Sequence, residues 1–353
     1  MLKIQRSIIS QVRAATTAFD LHEHLQKAIQ LEHSTIPPYL TALYSIKKGT
    51  NTAIAHILRS VLIEEMLHMA IAANTLNAIG GEPRINTPSF IPTYPGPLPM
   101  NIGDGLEVGL EPLSLELLQK VFMRIEEPEK PIDFPIKAAS VALDAEPEYA
   151  TIGEFYQAIL DKIQELGERI FIGNPARQVV NPRWFPLTEL FPVRNPEEAS
   201  RALTLIVEQG EGTSVSPLAR PNGRELAHYY RFSEIVNGRR LKPDPHEAKG
   251  FSYSGEPLHL DTEGIWKLMP NAKATSFSEK TQARFYADQF NATYTRLLTA
   301  LHETFNGRPE WLDRCMGIMY ELRLVADKLV SLQAAPDSPY QAAPPFEYAP
   351  TSA

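Results

Sequence analysis

The sequence predicts an all-α protein: a bundle of helices linked by long, irregular Pro- and Gly-rich crossover segments, with an extra helical hairpin at the C-terminal end. Three observations lead there. Apolar residues recur at three- and four-residue spacing across about residues 20–47, 52–79, 149–172, 197–211, 223–237, 278–305 and 309–332. The 30 prolines cluster, and long connections therefore separate the helices. Finally, several acids and histidines lie on apolar stripes rather than on the solvated faces where such residues usually sit.

Composition bounds the function classes. A length of 353 residues allows two domains, but one elaborated helical domain spanning 1–353 accounts for the whole series of helices. Hydrophobic residues at 43% and charged ones at 22% are ordinary for a globular protein with a sizeable core. A net charge of -8 without any basic run argues against nucleic acid or an anionic membrane surface as partner. The single cysteine, Cys315, excludes an intrachain disulfide and fits a reducing, cytoplasmic setting. It lies in a helical pattern between Trp311 and Met319, so a buried, inert thiol is expected. Lys3, Arg6 and Arg13 interrupt the apolar residues at the start, so no secretory leader is read there. No apolar run approaches the ~18 residues that a membrane helix needs. The expected partner is a small-molecule substrate, with assembly into a homo-oligomer left open.

Leu21, Leu25, Ala28, Ile29, Ile36, Leu40 and Leu43 mark one face of the first long helix, with Gly49 as its stop. Glu32 lies on that stripe. Pro37 and Pro38 are expected to bend the helix just beyond it, because Pro37 has no amide to offer the His33 carbonyl. In the second helix, Glu65 and His68 fall one turn apart on the stripe of Ile54, Ile57, Leu58, Val61, Ala72, Leu76 and Ile79. Glu32 lies nearly as far before Gly49 as Glu65 lies after it, so an antiparallel hairpin brings the two acids level.

Residues from Gly80 to Pro147 form the first crossover, in which only Leu113 to Ile125 reads as helix and Glu126-Glu127-Pro128-Glu129-Lys130-Pro131 reads as connection. In the helix after it, Phe155, Ile159, Ile163, Leu166 and Ile170 face the core, and Glu154 shares a side with Asp161, Glu165 and Glu168, which makes it a solvated acid, or a ligand if the helix is buried on both sides. Asn195 caps the next helix, with Pro196 in the first turn and Glu197 and Glu198 near its positive end. That helix carries Glu208 and ends around Glu211. After a loop with Pro217, Pro221 and Gly223, a further helix opens at Arg224, and Glu225, His228, Phe232 and Ile235 share a face. Counted outward from Pro217, Glu208 and Glu225 come level. The final hairpin, joined by Asn306-Gly307-Arg308, carries no acid–histidine pairing and reads as core; the tail from Ala334 has no periodicity.

Two hairpins thus each bring a lone glutamate level with a Glu-x-x-His. A buried carboxylate without a partner costs several kcal/mol, so a cation, a metal or a hydrogen-bond network must compensate it. Glu32, Glu65, His68, Glu208 or Glu211, Glu225 and His228 form a candidate ligand set. Acids that bridge two ions, plus one imidazole for each, suit paired iron or manganese ions inside a bundle, and the lack of thiolates argues against structural zinc. The competing arrangement is a pair of buried salt-bridge networks built on Arg59, Arg201, Arg224 or Arg231. Glu64, Tyr39 and Tyr229, with Tyr230, are candidates for orienting ligands or passing protons.

These residues carry a resemblance. Leu31-Glu32-His33-Ser34-Thr35-Ile36-Pro37-Pro38-Tyr39-Leu40, Glu64-Glu65-Met66-Leu67-His68-Met69, Glu208-Gln209-Gly210-Glu211-Gly212, Glu225-Leu226-Ala227-His228-Tyr229-Tyr230-Arg231-Phe232 and Pro344-Pro345-Phe346-Glu347-Tyr348 spread over nearly the whole chain. With them the chain resembles the ferritin-like superfamily. More closely, it is similar to the ferritin-like domain at the start of bacterial iminophenyl-pyruvate dimer synthases and chromopyrrolate synthases of bis-indole biosynthesis. The resemblance implies an iron-binding helical bundle and oxidative chemistry on a small molecule. A di-iron oxidase or oxygenase, a non-catalytic metal-binding protein and a haem-dependent oxidative coupling enzyme are all consistent with it. A cavity of some hundreds of Å³ beside the metals separates an enzyme acting on an organic substrate from the second of these.

Overall fold

A computed structural model describes residues 4–101, 105–128, 131–134, 149–212, 216–219 and 225–349. The first strand, β1 (Ile4–Gln5), leads into α1 (Arg6–Arg13), which buries Ile8, Ile9 and Val12. Helix α2 (Ala18–Tyr44) starts at a capping box: the Asp20 amide donates to Thr17 Oγ1, and the Thr17 amide donates to the Asp20 carboxylate. It runs on through Pro37 and Pro38. The carbonyl four residues before Pro38, that of Ser34, has lost its helical donor and accepts the Tyr94 hydroxyl at 2.6 Å instead. The helix stops at Tyr44, earlier than expected, because Ile46 pairs with Ile265 in an isolated bridge.

Helix α3 (Thr52–Ala78) packs along α2. Thr35 meets Glu65 and Glu32 meets His68, so rising number on one helix goes with falling number on the other, as in an antiparallel hairpin. Next come α4 (Leu115–Leu117) and α5 (Met123–Ile125), one helical run interrupted by a π turn at Leu118–Phe122. Strand β2 (Tyr149–Ala150) pairs antiparallel with β1.

Helix α6 (Ile152–Leu166) is closed at its start by a second capping box, in which Thr151 and Glu154 exchange bonds. It is shorter than the periodicity suggests, since Gly167 at φ +69° turns the chain into a single 3-10 turn at Glu168–Ile170. Helix α7 (Pro196–Gly210) opens as expected, with Asn195 Oδ1 accepting from the Glu198 amide at 2.8 Å. Helix α8 (His228–Asn237) precedes a small ribbon of β3 (Lys242–Pro243) against β4 (Phe251–Ser252). The last two helices, α9 (Gln282–Phe305) and α10 (Leu312–Val330), pack on each other and against α3 and α2.

One apolar core extends from Ile8 through these helices to Phe346. Each large side chain fully buried there contributes roughly 1.5–3 kcal/mol. The tail belongs to it: Phe346 packs on Phe290 and Tyr294, and the Tyr348 hydroxyl donates to the Asn86 carbonyl. Among the described residues, no helix is long and apolar enough to cross a membrane. What matters for function is that α2, α3, α6, α7 and α8, with the end of α5, enclose a polar pocket on the side of the α2–α3 pair away from α9 and α10.

Candidate metal centre

Two triads of buried side chains meet in that pocket: Glu32, Glu65 and His68, and Glu65, Glu126 and His228. Within each, one ligand atom per residue lies within 4.8 Å of the others, and Glu65 belongs to both. His228 is 0% exposed and Glu65 3%. Nδ1 of His68 lies 3.4 Å from Glu32 Oε2 and 3.8 Å from Glu65 Oε1. Nδ1 of His228 lies 3.0 Å from Glu65 Oε1 and 3.4 Å from Glu126 Oε2. The two rings stack with centroids 5.6 Å apart.

Every one of these five groups is held by its outer atom. His68 Nε2 is 2.9 Å from Gln209 Oε1 and His228 Nε2 is 2.8 Å from Glu64 Oε2, so each ring donates outward through Nε2 and turns Nδ1 inward. The acids obey the same rule. Tyr156 donates to Glu32 Oε1, Thr35 to Glu65 Oε2 at 2.7 Å, and Tyr39 to Glu126 Oε1 at 2.6 Å. The oxygens facing the imidazoles are the opposite ones. Behind His228, Arg231 donates to both Glu64 oxygens at 3.0 and 2.9 Å and to Ser60 Oγ at 3.1 Å.

Electrically, the pocket calls for positive charge. Burial and the neighbouring Glu126 push the Glu65 carboxyl up. Burial works against a charged His228, yet the charge and hydrogen bond of Glu126, with bonds to Glu64 and Glu65, raise it well above its ordinary value. His68 rises likewise, since Glu32 and Glu65 outweigh its burial. Burial also opposes ionisation of Glu64, but His228 and Arg231 hold it down at about 2. Protons on the imidazoles supply the missing charge when no ion is bound.

The residues fit a metal. His228 Nδ1 is buried and faces two carboxylates, at 3.0 and 3.4 Å, without a well-aligned hydrogen bond to either, and the donors are all oxygen and nitrogen. Beside the triads lies a cavity of about 40 Å³, lined by Glu32, Glu65, His68, Glu126, Ile152 and Glu211 among others. That is room for about one water-sized molecule.

The structure brings Glu32, Glu65, His68 and His228 together, with Glu64 behind His228 and Tyr39 on Glu126. It does not bring Glu225 to them. Helix α8 begins only at His228, so the helical register that sets Glu225 beside it does not apply. Glu225 is exposed and lines an outer cleft with Arg231 and His56. Glu208 is half-buried and stands outside both triads; Glu211 lines the small cavity and accepts the Gly153 amide at 3.0 Å. From the same turn of α7 it is Gln209 that reaches His68. Tyr229 packs edge-on against Tyr230 in a separate cluster around Phe134 and Leu241, away from the ligands. Arg201 stacks over Phe191 and Arg59 lines a different cavity, while Arg224 lies outside the described residues. Of the described arginines in that set, Arg231 alone approaches, through Glu64.

The candidate ligand that sequence reasoning misses is Glu126. Its Glu-Glu-Pro setting reads as connection, but its amide bonds to the Phe122 carbonyl at 3.1 Å, so it forms the last residue of the helical run. A signal is present: Leu118, Phe122 and Glu126 succeed one another at four-residue spacing, and the first two are buried core. The π turn at Leu118–Phe122 is of a kind often found at functional sites.

A helical bundle with carboxylates and imidazoles converging from different helices defines a class of metal-binding bundle proteins. Residues 25–237 match the family model described as ferritin-like, and the chain belongs to the ferritin-like family. Among solved structures it is similar to a ferritin-like protein from Caulobacter vibrioides, with a TM-score of 0.59 and 24% identity, over 93% of this chain and 97% of that one. At that identity the likeness is one of fold. No curated protein matches the chain.

Proposed function

We propose that the protein binds two iron ions, or manganese in their place, and acts as a non-haem oxidase or oxygenase using dioxygen or peroxide. One observation carries this reading: the two triads share Glu65, and each acid has one oxygen tied to a hydroxyl and the other turned to an imidazole. Iron held by Glu32, Glu65, His68, Glu126 and His228 would supply one-electron redox chemistry toward a small oxidant. The chain's own residues fix the donors and hold the nearby protons. Tyr39 and Tyr156 keep theirs on Glu126 and Glu32, and Glu64, clamped by Arg231, holds His228 Nε2 so that Nδ1 is the atom turned toward the metal. The 40 Å³ cavity suits an oxidant of dioxygen or peroxide size, so any organic substrate acts from beyond it.

That small volume also favours a second reading, a ferritin-like protein that holds metal without turning over a substrate. Anaerobic loading with Fe(II), metal analysis and then exposure to oxygen separate the two. About two irons per chain with oxygen consumption supports the oxidase; about two irons with no oxygen consumption supports the second reading. Less than about half an equivalent of iron, unchanged by Glu65→Ala with His68→Ala, ends both. Kinship to the iminophenyl-pyruvate dimer synthases rests on the sequence motifs, and a Soret band in the purified protein would move the oxidative chemistry to haem.

A further inference from the structure

A second cavity, of about 290 Å³, lies between the α2–α3 pair and the α9–α10 hairpin. None of the five proposed ligands lines it, so a guest there is recognised independently of the metal centre. The volume is at the lower end of the ~300–1,000 Å³ that small-molecule sites occupy. Its walls are apolar, with Met66, Met69, Met316 and Met319 among them, an adaptable lining for a flexible guest.

The polar features sit at its two ends. Arg59 and Arg323 are the charged groups that line it, and no acid does. Both are exposed, and neither guanidinium has a hydrogen bond or ion pair with another described residue. The register that sets Glu32 beside His68 puts Arg59 level with the Tyr44 end of α2, and Arg323 acts electrostatically on Tyr44, as does Asp327 one turn further on, which does not line the cavity. At the other end His33, 3% exposed, bonds through Nε2 to the Tyr294 hydroxyl at 2.8 Å, while its Nδ1 is buried without a partner. A buried polar atom left unpaired is costly unless something enters to meet it. Eleven residues of α2 separate His33 from Tyr44, a distance on the order of 16 Å at the helical rise.

We propose that this cavity binds an elongated aliphatic carboxylate of medium chain length, with its anionic head between Arg59 and Arg323 and an oxygen function at its far end against His33 Nδ1. The chemistry is complementary throughout: two guanidiniums in no ion pair for the head, methionines and leucines for the chain, and one orphan nitrogen for the distal oxygen.

Calorimetric titration of the full-length protein with dodecanoate, 12-hydroxydodecanoate and dodecyltrimethylammonium tests it. Both carboxylates should bind at least about tenfold more tightly than the cation, and the hydroxylated one about fivefold more tightly than dodecanoate, the size of one net hydrogen bond. Arg59→Gln with Arg323→Gln should erase the preference for the anion, and His33→Phe the preference for the hydroxyl. Leu301→Trp should fill the cavity and abolish binding while leaving melting temperature and metal content unchanged. Equal binding of cation and anion, an unaltered preference in the double arginine variant, or no binding of either carboxylate to the wild type would each overturn the assignment.

Discussion

Neutralising the acid shared by both triads should stabilise the metal-free protein and yet leave it the less stable one once metal is supplied. Glu65→Gln keeps the side chain's shape and an oxygen for the Thr35 hydroxyl, and removes one buried charge. Glu65 and Glu126 offer ligand atoms within 4.8 Å of each other. At an effective dielectric of about 20, two charges at that separation repel by about 3–4 kcal/mol. His228 Nδ1 at 3.0 Å and His68 Nδ1 at 3.8 Å offset part of this. The balance still leaves the Glu65 carboxyl above its ordinary 4.5, with burial the larger cause and Glu126 the next. An acid raised on folding favours its protonated form in the folded state. Its stability contribution is therefore present below about pH 4.5 and lost as pH rises through the folded value. Glutamine has no such loss at neutral pH.

We expect a gain of about 1–2 kcal/mol, the usual return from relieving a functional site. For a chain of this length that is an upward shift of roughly 2 °C in the presence of EDTA. Metal reverses the order. Ligand at one hundred times its dissociation constant adds about 2.7 kcal/mol to the wild type, whereas the variant, impaired in both triads, gains little. Scanning calorimetry in EDTA and in anaerobic Fe(II) reads both arms. A variant that melts below the wild type in EDTA, or that gains the same shift with iron, refutes the reasoning.

Three further outcomes are expected. Glu126→Gln should lower the iron content by about half, since only the second triad contains it, whereas Glu225→Gln on the outer cleft should leave it unchanged; elemental analysis decides, and equal effects from the two would disprove the ligand assignment. Gln209→Leu takes away the acceptor that fixes the His68 ring and should weaken metal binding about 10–100-fold in competition with a chromogenic chelator, with unchanged affinity as the contrary result. Burial raises the Cys315 thiol and keeps it protonated at pH 8, so iodoacetamide should modify it only after denaturation; mass spectrometry showing rapid labelling of the folded protein would contradict this.

How much of the site is legible in the sequence depends on how far helical periodicity reaches. Along α2 and α3 the helix is continuous, so a four-residue spacing is a true statement about space, and Glu32, Glu65 and His68 lie where the stripe puts them. The same premise applied to the second hairpin fails at Glu225. The backbone there is still in the loop, with the Ala219 amide bonded to the Glu225 carbonyl, and the side chain turns outward. The opposite error arises at Glu126. A Glu-Glu-Pro run looks like a connection, yet the Glu126 amide still bonds to the Phe122 carbonyl, so the acid closes the helical run that follows the π turn. Period arguments hold inside helices and lapse within a turn of their ends, where caps and bulges decide direction.

The supporting groups are hidden for a different reason. Gln209, Thr35 and Tyr156 belong to residue types that any helix carries, and nothing in their spacing marks them until the atoms they hold are known. Yet they bear on the chemistry as much as the ligands do. Without Gln209 and Glu64 the two imidazoles have no fixed tautomer, and without the three hydroxyls each carboxylate is free to turn either oxygen inward. The ligands set which cations the pocket accepts; the hydroxyls, the amide and the Glu64–Arg231 pair set in advance which atom of each ligand meets them.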